Sequence, residues 1–312
     1  MRTAFVEQLC TLAQKDERIW LVCGDLGYSV LEVFANAFPR RYLNAGVAEQ
    51  NMTGVAAGVA LAGKIVFTYS IANFPVMRCL EQIRNDVCYH NLNVKVVSVG
   101  GGLAYGSHGY THHGVEDLAV MNAMPNMVVA APADPIEARQ VTSIVASQAG
   151  PAYVRLGKAG EPVLHVPDAH VAFGKAIQVA SGDDLTIISI GGMLASVLKA
   201  RNELERVGIQ ARILSMPFLS PLDISSVIAS AEQTGAILTV EEHGPGGLGA
   251  AVAEVLAVHG RAVPFRMLRL ARSPIKVSGS QEELRSAQGL SVAGIVQAAE
   301  QLGRTVRPGV VP

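Results

Sequence analysis

The sequence predicts an α/β protein of two doubly wound, mostly parallel-sheet domains, and three observations carry that prediction. β-rich runs alternate with helical stretches of roughly 10–15 residues through both halves, the pattern of strand–helix–strand crossovers. A stretch mixing Pro, Gly and polar residues separates the halves. The 312 residues suffice for two separate cores. The expected organisation is a first domain over 1–160, a linker over 161–172, a second domain over 173–305 and a tail over 306–312.

The elements follow in order. “MRTAFVEQLCTLAQKDERIW” puts Phe5, Leu9 and Leu12 on one face of an amphipathic helix and is too charged for a signal peptide. “IWLVCGDLGYSV” reads as a buried strand ending in a polar turn at Gly24, Asp25 and Gly27. After a helix ending near Phe38-Pro39 comes “YLNAGVAEQNMTGVAAGVALAGK”, a short strand, a turn at Asn44 to Gly46 and a helix of Ala, Gly and Val. Next are the strand “IVFTYS”, a helical segment from about Pro75 to His90, and the strand “VKVVSVGGG”, which opens into a glycine-rich loop over 100–114. A helix from about Glu116, the strand “MVVAAP”, the helix “PIEARQVTSIVAS” and the strand “AYVRL” complete the first half. The second half alternates likewise: “LTIISIGG” strand, “MLASVLKARNELERVG” helix, “QARILSMPF” strand, “DISSVIASAEQTG” helix closed by Gly235. The strand “AILTVEE”, a glycine turn, the helix “GAAVAEVLAVHG”, the strand “PFRMLRLA” and terminal helices follow.

Composition excludes several classes. A net charge of −1 offers no electrostatic basis for binding nucleic acid or an anionic membrane. No apolar run reaches the ~18 residues of a membrane span. The four cysteines, Cys10, Cys23, Cys79 and Cys88, lack CxxC spacing and read as reduced, buried thiols of a soluble cytoplasmic protein. With 50% hydrophobic residues, 16% charged and 31 glycines, the chain is rich enough in apolar and small residues to suggest extensive subunit contact.

Two stretches could carry chemistry. Glu49 is the one acid of its apolar helix and sits in the first turn. It is either a helix-dipole acid or a carboxyl kept partly dry so that its pKa rises and it shares a proton with a ligand. The loop “GGGLAYGSHGYTHHG” holds His108, His112 and His113, three of the eight histidines, beyond the carboxyl end of a strand, where open α/β sheets bind ligands. With no nearby Cys, hydrogen bonding to a polar substrate or proton transfer fits these histidines better than zinc. Gly244, Gly246 and Gly249 satisfy GxGxxG after a strand, but no acid follows at ribose distance, so tight turn geometry explains them better than a dinucleotide.

In order along the chain, “GVAEQNMTGVAAGVALAG”, “THHGVEDLAVMNAMPNMVVAAPADP”, “PAYVRLGK” and “ILTVEEHGPGGLGAAVAEVL” resemble the C-terminal half of a transketolase. The likeness runs over residues 5–300 and is nearest the smaller subunit of split, two-component transketolases, which carries the pyrimidine-binding and C-terminal domains. The resemblance implies thiamine diphosphate as cofactor. Glu49 matches the glutamate that hydrogen-bonds N1′ of its aminopyrimidine, Phe74 the aromatic that stacks on that ring, and Ile71 stands where many relatives have another aromatic. Asp25 and Leu26 match residues that contact the cofactor from below, and Ser29 a position that touches substrate phosphate in some members. His112 matches the histidine that binds sugar hydroxyls, with His113 beside it. His108 replaces an Asp, Gly100 and Gly101 replace a substrate-binding His, and Lys158, with Arg155 nearby, replaces a phosphate-gripping Arg.

The chain lacks a segment able to hold a magnesium diphosphate. The resemblance therefore implies a separate, larger transketolase N-terminal-type subunit holding Mg2+, in an α2β2 assembly with self-association. The expected reaction is transfer of a two-carbon unit from a ketose or 2-oxo acid donor to an aldehyde. The alternatives are a 1-deoxyxylulose-5-phosphate-synthase-like or 2-oxo-acid-dehydrogenase-like carboligase acting on pyruvate, and a non-catalytic scaffold subunit.

Overall fold

The computed structural model describes residues 1–306, with side chains to 303; the expected tail lies, from 307, outside the described residues. In the first half, α1 (Arg2–Lys15) leads to β1 (Ile19–Cys23), α2 (Glu32–Ala37), β2 (Tyr42–Asn44), α3 (Glu49–Leu61) and β3 (Ile65–Ile71). The short helices α4 (Phe74–Met77) and α5 (Leu80–Gln82) and a π-helical stretch over Ile83–Cys88 precede β4 (Val94–Val99). Then come α6 (Asp117–Asn122), β5 (Val128–Ala130), α7 (Pro135–Ser147) and β6 (Ala152–Leu156). The second half contains β7 (Ile177–Ala180), β8 (Leu185–Ser189), α8 (Leu194–Arg206), β9 (Ala211–Ser215), β10 (Phe218–Ser220) and α9 (Ile224–Thr234). It ends with β11 (Ile237–Val240), α10 (Leu248–Val258), β12 (Phe265–Leu268), α11 (Gln281–Ala287) and α12 (Val292–Val306).

The first sheet runs β10-β5-β6-β4-β3-β1-β2 and is parallel except where β10 joins β5. The second runs β12-β11-β8-β9-β7 and is parallel except for β7. Every residue of β4 and β8 is buried, as expected of parallel strands covered on both faces. One apolar core unites Met52, Val76 and Leu118 of the first half with Leu214, Val227 and Leu248 of the second, so the halves are packed together.

Three elements depart from the sequence reading. “QARILSMPF” is not one strand: Met216 N–H still bonds Ser189 O, while Pro217 O accepts from Ala131 N–H and leads β10 onto the first sheet. Pro217 has no N–H to continue the β8–β9 ladder, and the chain changes sheets there. β7 was unforeseen because it is a short, half-exposed edge strand. The helix expected from Pro75 to His90 is broken at Cys79, whose backbone (φ −109, ψ 10) leaves the helical region.

The loops leaving the carboxyl ends of β1, β3, β4 and β6 hold residues 24–29, 72–74, 100–114 and 157–158. These carry the candidate site beyond the strand ends.

Candidate active site

Glu49 opens α3, whose N-terminus has no side-chain cap at Ala48, and places an acid in the first turn. The residue is 3% exposed. Its Oε2 lies 3.0 Å from Nη1 of Arg78. The Arg78 guanidinium carbon in turn stands 4.1 Å from the Phe74 ring centroid. Phe74 and Arg78 are four residues apart on the α4 turn, which brings them face to face. Arg78 is a residue the sequence reading missed; the Phe-x-x-x-Arg spacing after a strand was the available signal. Gly24 abuts the carboxyl: a Cβ there would lie 3.5 Å from Glu49 Cγ. A buried carboxylate beside a half-buried ring fits the edge and face of a flat, nitrogen-bearing heterocycle, so these residues suit an aminopyrimidine.

From Phe74 a row of rings continues into the 100–114 loop. His112 lies 5.1 Å from Phe74 and 5.0 Å from His108, and Tyr105 lies 5.6 Å from His108, centroid to centroid. Lys158 Nζ closes the row 4.8 Å over the Tyr105 ring. Asn73 fastens the loop to the end of β3 by donating to Thr111 O at 3.0 Å. Burial, and then the charges of His108 and Arg78, lower the His112 pKa, which keeps a neutral imidazole at pH 7. Tyr105 is the second residue missed. Gly100 has φ +76, and a Cβ there would collide with the Tyr105 ring, so the ring occupies the space a side chain at position 100 would need.

Three expected substrate residues, His113, Arg155 and Ser29, are not in the row. His113 is 1% exposed and packs its ring against Tyr110, so it faces the interior. Arg155 is 8% exposed. Its guanidinium pairs with Asp117 at 3.2 Å and donates to Gly114 O at 2.6 Å and Glu242 O at 3.0 Å, so it braces the loop. The turn after β1 lies next to Glu49 through Gly24. Asp25 takes φ +55 and accepts from Asn44 Nδ2 at 2.9 Å. Leu26 and Ile71 are half-buried against the core, and exposed Ser29 donates its N–H to Glu32 at 2.8 Å.

The second half supports the loop without adding a nucleotide site. The Glu241 carboxylate accepts from Leu248 N–H at 2.7 Å and Gly249 N–H at 2.9 Å, filling the α10 N-terminus where a dinucleotide phosphate would sit. Among the described residues no group of three or more His, Cys, Asp and Glu is placed to hold a metal ion. No helix among them is long and apolar enough to cross a membrane.

Two mostly parallel-sheet domains, with a buried acid and an aromatic ring beyond strand ends of the first, define an α/β chain whose candidate ligand site lies where such sheets bind ligands. Residues 1–160 match the family “Transketolase, pyrimidine binding domain” and residues 174–295 match “Transketolase, C-terminal domain”. The chain belongs to the transketolase family, a family of thiamine-diphosphate-dependent transferases, and is of the beta type found in split transketolases. It is 38% identical over 301 residues to a subunit of the apulose-4-phosphate transketolase of Phocaeicola vulgatus, covering 96% of each chain. It is 39% identical over 302 residues to “Putative transketolase C-terminal section” of Methanocaldococcus jannaschii, covering 95% of this chain and 94% of that one. The solved structure “Split gene transketolase, inactive beta4 tetramer” superposes with a TM-score of 0.86 at 38% identity, over 96% of this chain and 97% of that one.

Proposed function

We propose that this chain supplies the aminopyrimidine and donor-sugar half of an active site that moves a two-carbon ketol unit from a ketose, or ketose phosphate, to an aldehyde. The reading divides the chain at 1–160, 161–172 and 173–305. A larger partner would hold the diphosphate and Mg2+ in an α2β2 assembly, and the four buried free thiols fit a reducing cytoplasm. The observation that carries the reading is the Glu49 carboxyl, 3% exposed at the start of α3 and linked to the Phe74 ring through Arg78.

Each residue then has a task. Glu49 holds a proton against N1′ of the aminopyrimidine, and its dry surroundings keep water from levelling that proton. Phe74 supports the ring's face, with Ile71 behind it, and Asp25 and Leu26 border the cofactor from the β1 turn. When bound, thiamine diphosphate supplies the nucleophilic carbon and the electron sink for the two-carbon unit. Neutral His112 orients donor hydroxyls, with His108 and Tyr105 completing the wall. Lys158 and Ser29 match positions that touch substrate phosphate in relatives, and Lys158 gives charge without a bidentate fork.

The test is donor screening on the chain assembled with its larger subunit, wild type against Glu49→Gln. A loss of roughly 10²- to 10⁴-fold in turnover, the usual weight of a proton-transfer group, is expected. Unchanged turnover and unchanged thiamine diphosphate binding would overturn the reading. Carbon dioxide release from pyruvate without ketose cleavage would assign the chain to a carboligase instead.

A further inference from the structure

The carboxylate and the ring assigned to the cofactor are both engaged by the chain itself. Arg78 donates Nη1 to Glu49 Oε2 at 3.0 Å and lays its guanidinium 4.1 Å over Phe74. A guanidinium is flat, carries N–H donors along one edge and presents a π-face. An aminopyrimidine is likewise flat, presents a π-face to an aromatic ring and meets the same carboxyl group along its N1′ edge. The two groups therefore compete for one place, since Glu49 Oε2 and the occupied Phe74 face cannot serve both.

We propose that Arg78 is an internal competitor of the cofactor, filling the aminopyrimidine position in the free chain and swinging outward when the ring enters. The inference rests on the reading of Glu49 and Phe74 given above. The local structure permits the movement. The Arg78 side chain is 48% exposed, so it has solvent to move into. Its backbone is held independently, with Arg78 O accepting from Gln50 Nε2 at 2.9 Å and Arg78 N donating to Phe74 O at 3.3 Å. Only the side chain needs to turn. While paired, Arg78 occupies the Glu49 oxygen that would otherwise meet N1′. Displacement would couple cofactor entry to release of the acid.

The competition has a measurable size. If the closed arrangement holds in most molecules, the apparent dissociation constant is raised by the inverse of the open fraction. Removing the competitor from a site nine-tenths closed would tighten binding about tenfold.

Two titrations by calorimetry test this, with wild type, Arg78→Leu and Arg78→Gln, folding and assembly being checked by circular dichroism and mass photometry. One uses thiamine diphosphate with Mg2+ on the complex with the larger subunit. The other uses 4-amino-5-hydroxymethyl-2-methylpyrimidine on this chain alone, which probes the ring's place without the diphosphate. Both variants are expected to bind about three- to tenfold more tightly in both titrations. If Arg78→Leu misfolds because Glu49 is left unpaired, Arg78→Gln retains a donor and decides the question. Unchanged or weaker binding by the folded variants overturns the proposal. Glu49→Gln in the same series separates the two readings. If it abolishes turnover while Arg78 variants bind like wild type, only the competitor fails; if it changes neither binding nor turnover, the assigned function fails as well.

Discussion

The Glu242 carboxylate accepts a hydrogen bond from the backbone N–H of Leu103 at 3.2 Å, joining residues 139 positions apart. The same carboxylate pairs with Arg285 at 2.7 and 2.9 Å and accepts from Gln281 at 2.9 and 3.1 Å. Through it, the second half holds the loop that carries Tyr105, His108 and His112.

Glu242→Ala should therefore destabilise the chain by about 3–5 kcal/mol, because it leaves Arg285 without its carboxylate and Leu103 N–H without an acceptor. Urea unfolding of the two proteins measures this. Turnover of the assembled enzyme should fall further than cofactor binding does, since the loop, and not the Glu49 pocket, is loosened.

Gly100→Ala should cost about 1–3 kcal/mol for the left-handed backbone alone, and more for the collision with Tyr105. In a Tyr105→Ala background the collision disappears and only the backbone penalty remains. A double-mutant cycle on unfolding free energies should thus show strong coupling between positions 100 and 105; simple additivity would refute the close approach.

His165 lies 3.2 Å from Asp134 and 3.3 Å from Glu137, all three buried where the linker meets α7. Burial alone would lower the imidazolium's pKa, but the two carboxylates outweigh it and raise it. Burial likewise opposes ionisation of Asp134, yet His165 and three backbone N–H groups hold its pKa well below the carboxylate range. A raised His value means stability fully present below about pH 6.5 and lost as pH rises through the folded value, about 1.4 kcal/mol for each tenfold gain in proton affinity on folding. Asp134 contributes above about pH 3.9 and loses its share only at lower pH. The melting-temperature gap between wild type and His165→Gln should be wide at pH 5–6 and close in the alkaline range.

Arg78→Leu should raise the His112 pKa, because a cation that disfavours the imidazolium is removed while burial and His108 remain. Two-dimensional NMR titration of the imidazole reads this directly.

Much of this was legible along the chain. Apolar strands separated by helices marked both sheets, and Glu49 stood out as a lone acid in a helix of small residues. The departures came from neighbours that no local pattern encodes. His112 and His113 look alike in sequence, yet a 3-10 turn ends at His112 and His113 becomes extended (φ −77, ψ 125). That change sends one ring to the row and the other into the interior. Arg155 read as a cation beside a phosphate site, but Asp117 and two carbonyls, contributed by other segments, engage its Nε and Nη2.

The sequence by itself determined the two mostly parallel sheets and the family, and made Glu49 a candidate, because these rest on periodicity, turn residues and motifs that are local in the chain. Only the tertiary structure decided that Arg78 answers Glu49, that Tyr105 fills the space above Gly100 and that β10 crosses between sheets. Each of those depends on which atoms of separated segments come within a few ångströms of one another, and packing sets that.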